Sequence, residues 1–408
     1  MDTSCLQPPI PTHFKVQTLV QPQWRLADLL NSFPWTSTLE ELKRLICQQY
    51  EVRHCLLLDR ARTGLYLLAK GLGLRREWVL TSFMHRPSAV LIHHLASSMA
   101  FADILDDFTM DPRSAAKLLG ADTDVLLVTH MYGKSADIQA LRDLSDRRHV
   151  LLIENCVHVP GGIRVENKPL GSWGDAAILS FNVDKPLGGL LGGALITNRD
   201  DIWGAVTALP LVPQGPWEAW NRIYTTYLAY RLKPLIMRWY PGYALRSPKS
   251  GIEEIEAFKI GSYALYRPMA IHPIQAAVAL EAMKKSSQVT QKRVENAHLL
   301  LNKIEHSKKL LLPQDDIRRP HSFLYFPIIF NSGDRFEVSK QYAEFGVETK
   351  WRYYPLHLQK DFSHCRHGGL EHTEFAWRQH LLLPIGSIMA REEILYLGEC
   401  THRILSRI

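Results

Sequence analysis

Lys185, near the middle of the chain, is the residue whose type and setting could do chemistry, as a reactive amine. The apolar, β-branched run 150–153 predicts a buried strand. It stops at Glu154-Asn155, so polar side chains stand at the strand's carboxyl end, where open α/β sheets bind ligands. A second short run, 176–179, leads into Ser180-Phe181-Asn182-Val183-Asp184-Lys185. Glycines 188, 189, 192 and 193 follow, then a third strand at 194–197. Lys185 is thus predicted on a turn between two strands, with small neighbours that admit a flat ligand. A lysine in an apolar, tightly walled place loses its proton readily and becomes a nucleophile.

The patterns Glu154-Asn155-x-x-His158 and Ser180-Phe181-Asn182-x-x-Lys185, with the Gly-Gly strand behind them, resemble the active-site core of the DegT-type aminotransferases. That family makes amino sugars from nucleotide-linked keto sugars with pyridoxal 5′-phosphate (PLP). The resemblance extends more weakly over most of the chain. It implies fold type I of the PLP-dependent transferases: an α/β protein with a large mixed-sheet α/β/α domain and a small C-terminal α+β domain. It makes Lys185 the Schiff-base lysine and the base that moves a proton afterwards. It makes Ser180 and Asn182 cofactor-binding, and puts His158 in reach of the cofactor's phenolic oxygen or ring face. Ala61-Arg62-Thr63 matches the turn that cradles the phosphate, with Ala61 in place of the usual glycine; a helix start there is a ready anion site. Phe83 matches the aromatic that stacks on the pyridine ring, and His85 reads as a structural histidine. Tyr266 and Arg267 match a segment that reaches across a homodimer, although Leu265 stands where the family has asparagine. Thr129-His130-Met131-Tyr132-Gly133, Tyr353-Tyr354-Pro355-Leu356-His357 and Leu382-Leu383-Pro384 match further landmarks.

The clear departure is Asn155, where the family has aspartate. A carboxylate about 4 Å from a pyridinium is worth roughly 4 kcal/mol at an effective dielectric near 20, or about three pKa units. Asn155 offers a hydrogen bond without that charge. Glu154 is a poor substitute, because adjacent strand residues point to opposite faces. The expectation is a ring nitrogen that is largely neutral and a weakened electron sink.

The elements that must hold these residues follow from the rest of the chain. Residues 1–35 read as a Pro- and Gln-rich arm, 36–255 as the large PLP-binding domain, and 256–408 as an interdomain helix and the small domain. Ser37 is expected to cap a helix at 39–50. Strands are expected at 55–58, 79–83, 99–105 and 125–128, alternating with helices such as 65–72 and 136–147. The small domain is expected to hold helices near 292–308, 335–345 and 391–404 and strands near 322–329, 347–352 and 381–385. Residues 203–250 are rich in Trp, Tyr, Leu and Arg, cut by prolines, and read as a helical segment at a subunit interface. A basic aromatic surface of this kind also suits a membrane, but membrane contact is the disfavoured reading.

Composition sets the outer bounds. The chain has 408 residues, 46% hydrophobic and 22% charged, with a formal net charge of +7. That is ordinary globular composition with room for more than one core. The positive excess is dispersed, there is no GxGxxG or P-loop pattern, and nucleic-acid binding is excluded. The six cysteines have no metal-site spacing, so no metal is expected and a reducing cytoplasm is. The N-terminus does not read as a signal peptide. The most direct function is transfer of an amino group from glutamate or glutamine to a keto sugar or related carbonyl. Two alternatives stay open: a PLP enzyme with another reaction, such as decarboxylation, elimination or replacement, and a non-catalytic cofactor-binding regulatory protein.

Overall fold

A computed structural model of the chain describes residues 37–221, 224–226, 228, 259–304 and 308–407, with 8, 9, 11, 13, 15 and 16 near the N-terminus. Most of the expected arm, 229–250 of the aromatic segment, and the boundary expected at 255/256 lie outside the described residues. Thirteen strands are described, β1 His54–Leu58, β2 Glu77–Thr81, β3 Ser98–Ala102, β4 Thr123–Thr129, β5 Leu151–Asn155, β6 Arg164–Val165, β7 Lys168–Pro169, β8 Ala176–Ser180, β9 Gly193–Thr197, β10 Leu310–Leu311, β11 Phe326–Phe330, β12 Arg366–His367 and β13 His380–Leu383.

Eight of these form one sheet in the order β1-β9-β8-β5-β4-β2-β3-β12. Only β9 runs against its neighbours; the pairs from β8 to β12 are parallel. The sheet is therefore mixed, as the resemblance implies. β2, β8 and β9 are buried at every position, because helices cover both faces, and strands buried on two sides read as unbroken apolar runs. One face packs Leu126, Leu152, Ala177 and Ala194 against the helices Thr38–Tyr50 and Pro273–Lys284. The other packs Ile153, Ile178 and Leu195 against Ala61–Gly71. A third core, around Phe326, Ile328 and Leu382, belongs to the antiparallel sheet β10-β11-β13 and the helices Ser286–Ile304 and Arg391–Leu405.

Two local expectations are corrected. The helix Thr38–Tyr50 starts where expected, but the Ser37 side chain makes no cap bond; Glu40 and Glu41 in the first turn supply the favourable charge instead. Residues 347–352 do not form a strand and keep only a bridge from Lys350 to Leu382, because this segment turns away from the small sheet toward the large one.

Glu154 ties the central strand to the loop beyond it. The side chain is fully buried. Its Oε2 accepts from Gly171 N–H at 2.8 Å and lies 3.1 Å from His130 Nε2, while Oε1 accepts from Gly174 N–H at 2.6 Å. His130 Nδ1 accepts from Ala136 N–H, so its proton sits on Nε2 and is donated to the carboxylate. His130, Glu154 and Cys156 bring three ligand-type atoms within 4.8 Å of one another, but the hydrogen bonds already commit His130 and Glu154 to the fold. Replacing Glu154 with alanine strands three buried donors. We expect Glu154→Ala to lose roughly 3–5 kcal/mol of stability, read as a drop in the urea midpoint; a loss near zero refutes the latch.

Candidate active site

The predicted residues converge at the carboxyl ends of β4, β5 and β8. Asn155 closes β5 beside Thr129 of β4, and Ser180 closes β8 opposite Gly193 of β9. Lys185 stands on the turn between β8 and β9, held by its N–H to Asn182 O at 3.0 Å and by Gly188 N–H to its own carbonyl at 2.9 Å. The strand is forced close here by glycine. A Cβ on Gly193 would lie 2.5 Å from Ala61 N and 2.6 Å from Leu179 O. The helix start at Ala61 and the lysine turn are thereby pressed together.

Lys185 Nζ lies 3.0 Å from His158 Nε2. Tyr132 N–H donates to His158 Nδ1 at 3.3 Å, so the neutral ring carries its proton on Nε2 and points it at the lysine. Burial pushes the His158 ring well below its usual pKa, helped by the Lys185 charge, which keeps it neutral. Tyr353 Oη also approaches His158 Nε2, at 3.3 Å.

Asn155 is buried; its Nδ2 donates to Thr129 Oγ1 at 3.1 Å, and its Oδ1 has no hydrogen-bond partner. An orphaned buried acceptor is costly unless a ligand satisfies it, and a protonated ring nitrogen is such a ligand. Glu154 faces the opposite way, as strand alternation predicts.

The helix Ala61–Gly71 begins with Arg60 at its N-cap, Arg62 in its first turn and no acidic residue there. Cations at the positive end of a helix are unfavourable unless an anion joins them. Asp59 answers Arg60 at 2.8 Å, and the Arg62 guanidinium lies over the Tyr263 ring, 5.8 Å from its centre. Thr63 does something other than the expected hydroxyl contact. It donates to Asp59 Oδ1 at 2.5 Å and receives the Tyr266 hydroxyl at 2.6 Å, so its proton is already committed. Tyr266 thus closes on its own chain, while Arg267 is exposed. Asn182 N–H reaches Ser180 Oγ at 3.4 Å, and Asn182 Nδ2 donates to Asp184 Oδ1 at 2.9 Å. Asn155 Oδ1 and the cationic helix start both fit PLP.

The expectation for Phe83 is corrected. Its ring is wholly buried among Phe108, Tyr132, Tyr353 and His380. His85 is the residue that senses the charges of Lys185, Arg62 and Asp184; burial pushes its ring well below the usual pKa and Lys185 adds to this. Phe83 sits next to the β2 end and joins the core, whereas two positions later the chain reaches the cleft. Two further charged groups escaped the sequence reading, Asp184 and Arg352, with Arg352 Nη1 3.4 Å from Asp184 Oδ2. The only sequence signals were adjacency to Lys185 and to the Tyr353-Tyr354-Pro355 landmark.

Comparison with known proteins agrees with this geometry. Residues 24–238 and 251–401 match the DegT/DnrJ/EryC1/StrS aminotransferase family. The chain is 30% identical over 176 residues to the dTDP-3-amino-3,4,6-trideoxy-alpha-D-glucose transaminase of Micromonospora megalomicea, covering 42% of this chain and 47% of that one. It is 27% identical over 177 residues to the UDP-4-amino-4,6-dideoxy-N-acetyl-beta-L-altrosamine transaminase of Campylobacter jejuni, covering 42% and 46%. The chain thus spans about half the length of these curated relatives. Helicobacter pylori PseC, an aminotransferase involved in the biosynthesis of pseudoaminic acid, superposes with a TM-score of 0.75 at 16% identity, over 97% of this chain and 100% of that one. That likeness shows a shared fold. With a family match over most of its length, the chain belongs to the DegT/DnrJ/EryC1/StrS aminotransferase family.

Proposed function

We propose that the protein is a PLP-dependent aminotransferase that moves an amino group from glutamate or glutamine to a keto sugar, in the form of a nucleotide-linked sugar. The observation that carries this reading is the contact between Lys185 Nζ and His158 Nε2, with the ring's proton directed at the amine. When bound, PLP supplies an aldehyde for the lysine and a ring that withdraws electrons. The chain supplies the rest. Arg60, Arg62 and the helix start would hold the phosphate, with Ser180 and Asn182 as further binding residues. Asn155 Oδ1 would be the group to meet the ring nitrogen, with His85 and His158 as neutral neighbours of the site. Lys185 Nζ would be the base that moves a proton at the reacting carbon. The nucleotide-sugar acceptor is supported by the names of the relatives.

Asn155 favours a second reading, a PLP enzyme with another reaction. Its amide orients the ring nitrogen without a fixed negative charge, so the nitrogen gives up its proton at lower pH than beside aspartate. Bleaching of the yellow protein by glutamate supports transamination; a yellow protein inert to amino donors supports the second reading.

The assembly is proposed to be a homodimer. Trp217 is 84% and Leu265 91% exposed, large apolar surface in the segments expected at a subunit interface. No helix among the described residues is long and apolar enough to cross a membrane. The five described cysteines are free thiols, which supports a reducing compartment and a cytoplasmic site.

Three outcomes are expected. Borohydride reduction with excess PLP labels Lys185 by peptide mass, and Lys185→Ala gives no adduct; an unlabelled wild type sinks the reading. Asn155→Asp raises the pH at which the bound cofactor's ring nitrogen deprotonates by about three units, read from the absorption spectrum; identical titrations remove the role given to Asn155. Sedimentation gives twice the chain mass, and Leu265→Asp with Trp217→Ser moves the population toward the monomer; an unchanged dimer puts the interface elsewhere.

A further inference from the structure

The helix Ser286–Ile304 turns one stripe inward. Thr290, Arg293, Ala297, Leu300 and Ile304 are all buried, at the alternating three- and four-residue spacing of one helix face. Arg293 is the only charged residue among the helix's buried positions. Lys292, its neighbour in sequence, faces solvent and pairs with Glu295 at 3.4 Å. Arg293 keeps 8% exposure, and its Nε has no hydrogen-bond partner. No carboxylate pairs with its guanidinium among the described residues.

Tyr325, directly before β11, is in a like position. It is 1% exposed, and its Oη has no hydrogen-bond partner. Its ring meets that of Tyr132 edge-on, with centroids 5.8 Å apart. Tyr325 is also the titratable group that the Arg293 charge feels. Burial pushes the Tyr325 phenol up, so it is neutral and brings a proton but no charge. Burial lowers the Arg293 guanidinium to about 10, which leaves it a cation at neutral pH. This part of the core thus holds one positive charge and two buried donors with nothing to receive them. An uncompensated charge in an apolar interior is strongly destabilising, and a guanidinium does not escape by losing its proton. A counter-ion removes the penalty.

We propose that Arg293 and Tyr325 form a binding site for a small monovalent anion of the chloride type. Arg293 Nε–H and the Tyr325 hydroxyl donate to the ion, and the guanidinium balances its charge. The count of charges selects the class. One negative charge cancels one guanidinium, whereas a phosphate dianion leaves an excess in a core that includes Ala297, Leu300 and Phe326. The residual exposure of Arg293 means that the place is not sealed from solvent. The ion sits behind the wall of the cleft, since Tyr132, which packs on Tyr325, donates its N–H to His158. The proposal does not depend on the part given to Lys185.

The test is thermal unfolding of the full chain with excess PLP, with chloride exchanged for gluconate at constant ionic strength. Gluconate is too large for so buried a place. Raising chloride from about 1 mM to about 500 mM lifts the wild-type Tm by about 2–4 °C. Arg293→Met, which removes the charge and keeps the bulk, shows no such rise. Tyr325→Phe keeps the charge and loses one donor, and it needs about tenfold more chloride for the same rise. Anomalous diffraction from crystals soaked in bromide shows a peak beside Arg293 in the wild type. A wild-type Tm indifferent to chloride, an equal rise in Arg293→Met, or the lack of that peak overturns the proposal. Should Arg293→Met not fold, the Tyr325→Phe titration and the bromide peak decide it.

Discussion

The cleft depends on one alternation at the end of β5. Glu154 and Asn155 are neighbours in sequence and face opposite sides of the sheet. Glu154 turns away and secures the 171–174 loop and His130 with three hydrogen bonds. Asn155 turns toward the site and leaves Oδ1 open. His158, one turn later, reaches back under Tyr132 N–H and meets Lys185. A slip of one residue would send the carboxylate into the site and the amide into the loop, undoing both.

Electrostatics explains why the cleft gathers cations around few anions. Arg60 and Arg62 stand at a helix start that already carries positive partial charge. Lys185 and Arg352 share Asp184. His85 and His158 remain neutral because burial and the nearby lysine both oppose their protonation. A cleft of this charge suits an anionic ligand.

Much of the large domain was legible in the sequence, and for a physical reason. β8 and β9 are buried at every position and β4 and β5 at all but one, so each appears as a short apolar run. The positions of Asn155, His158 and Lys185 followed, because each sits within a few residues of such a run. What distant segments bring together was not legible. Arg352 meets Asp184 across 168 residues of chain, and nothing local marks that pairing. Phe83 and His85 were confused because an aromatic just past a strand can serve the core or the cleft, and only the packing of Phe108, Tyr132 and His380 decides. The strand expected at 347–352 failed because its segment serves two sheets at once. Thr63 matched the pattern, yet its proton goes to Asp59, a partner that composition alone does not reveal.

The missing side chain at Gly193 has a mechanical consequence. With no Cβ there, the backbone of β9 touches the first residue of the Ala61–Gly71 helix and the carbonyl of Leu179. A single methyl would act as a wedge, lifting the Ala61 helix start off the strand that precedes the lysine turn. The helix start and the lysine turn therefore share one stiff joint, with no side chain between them to give.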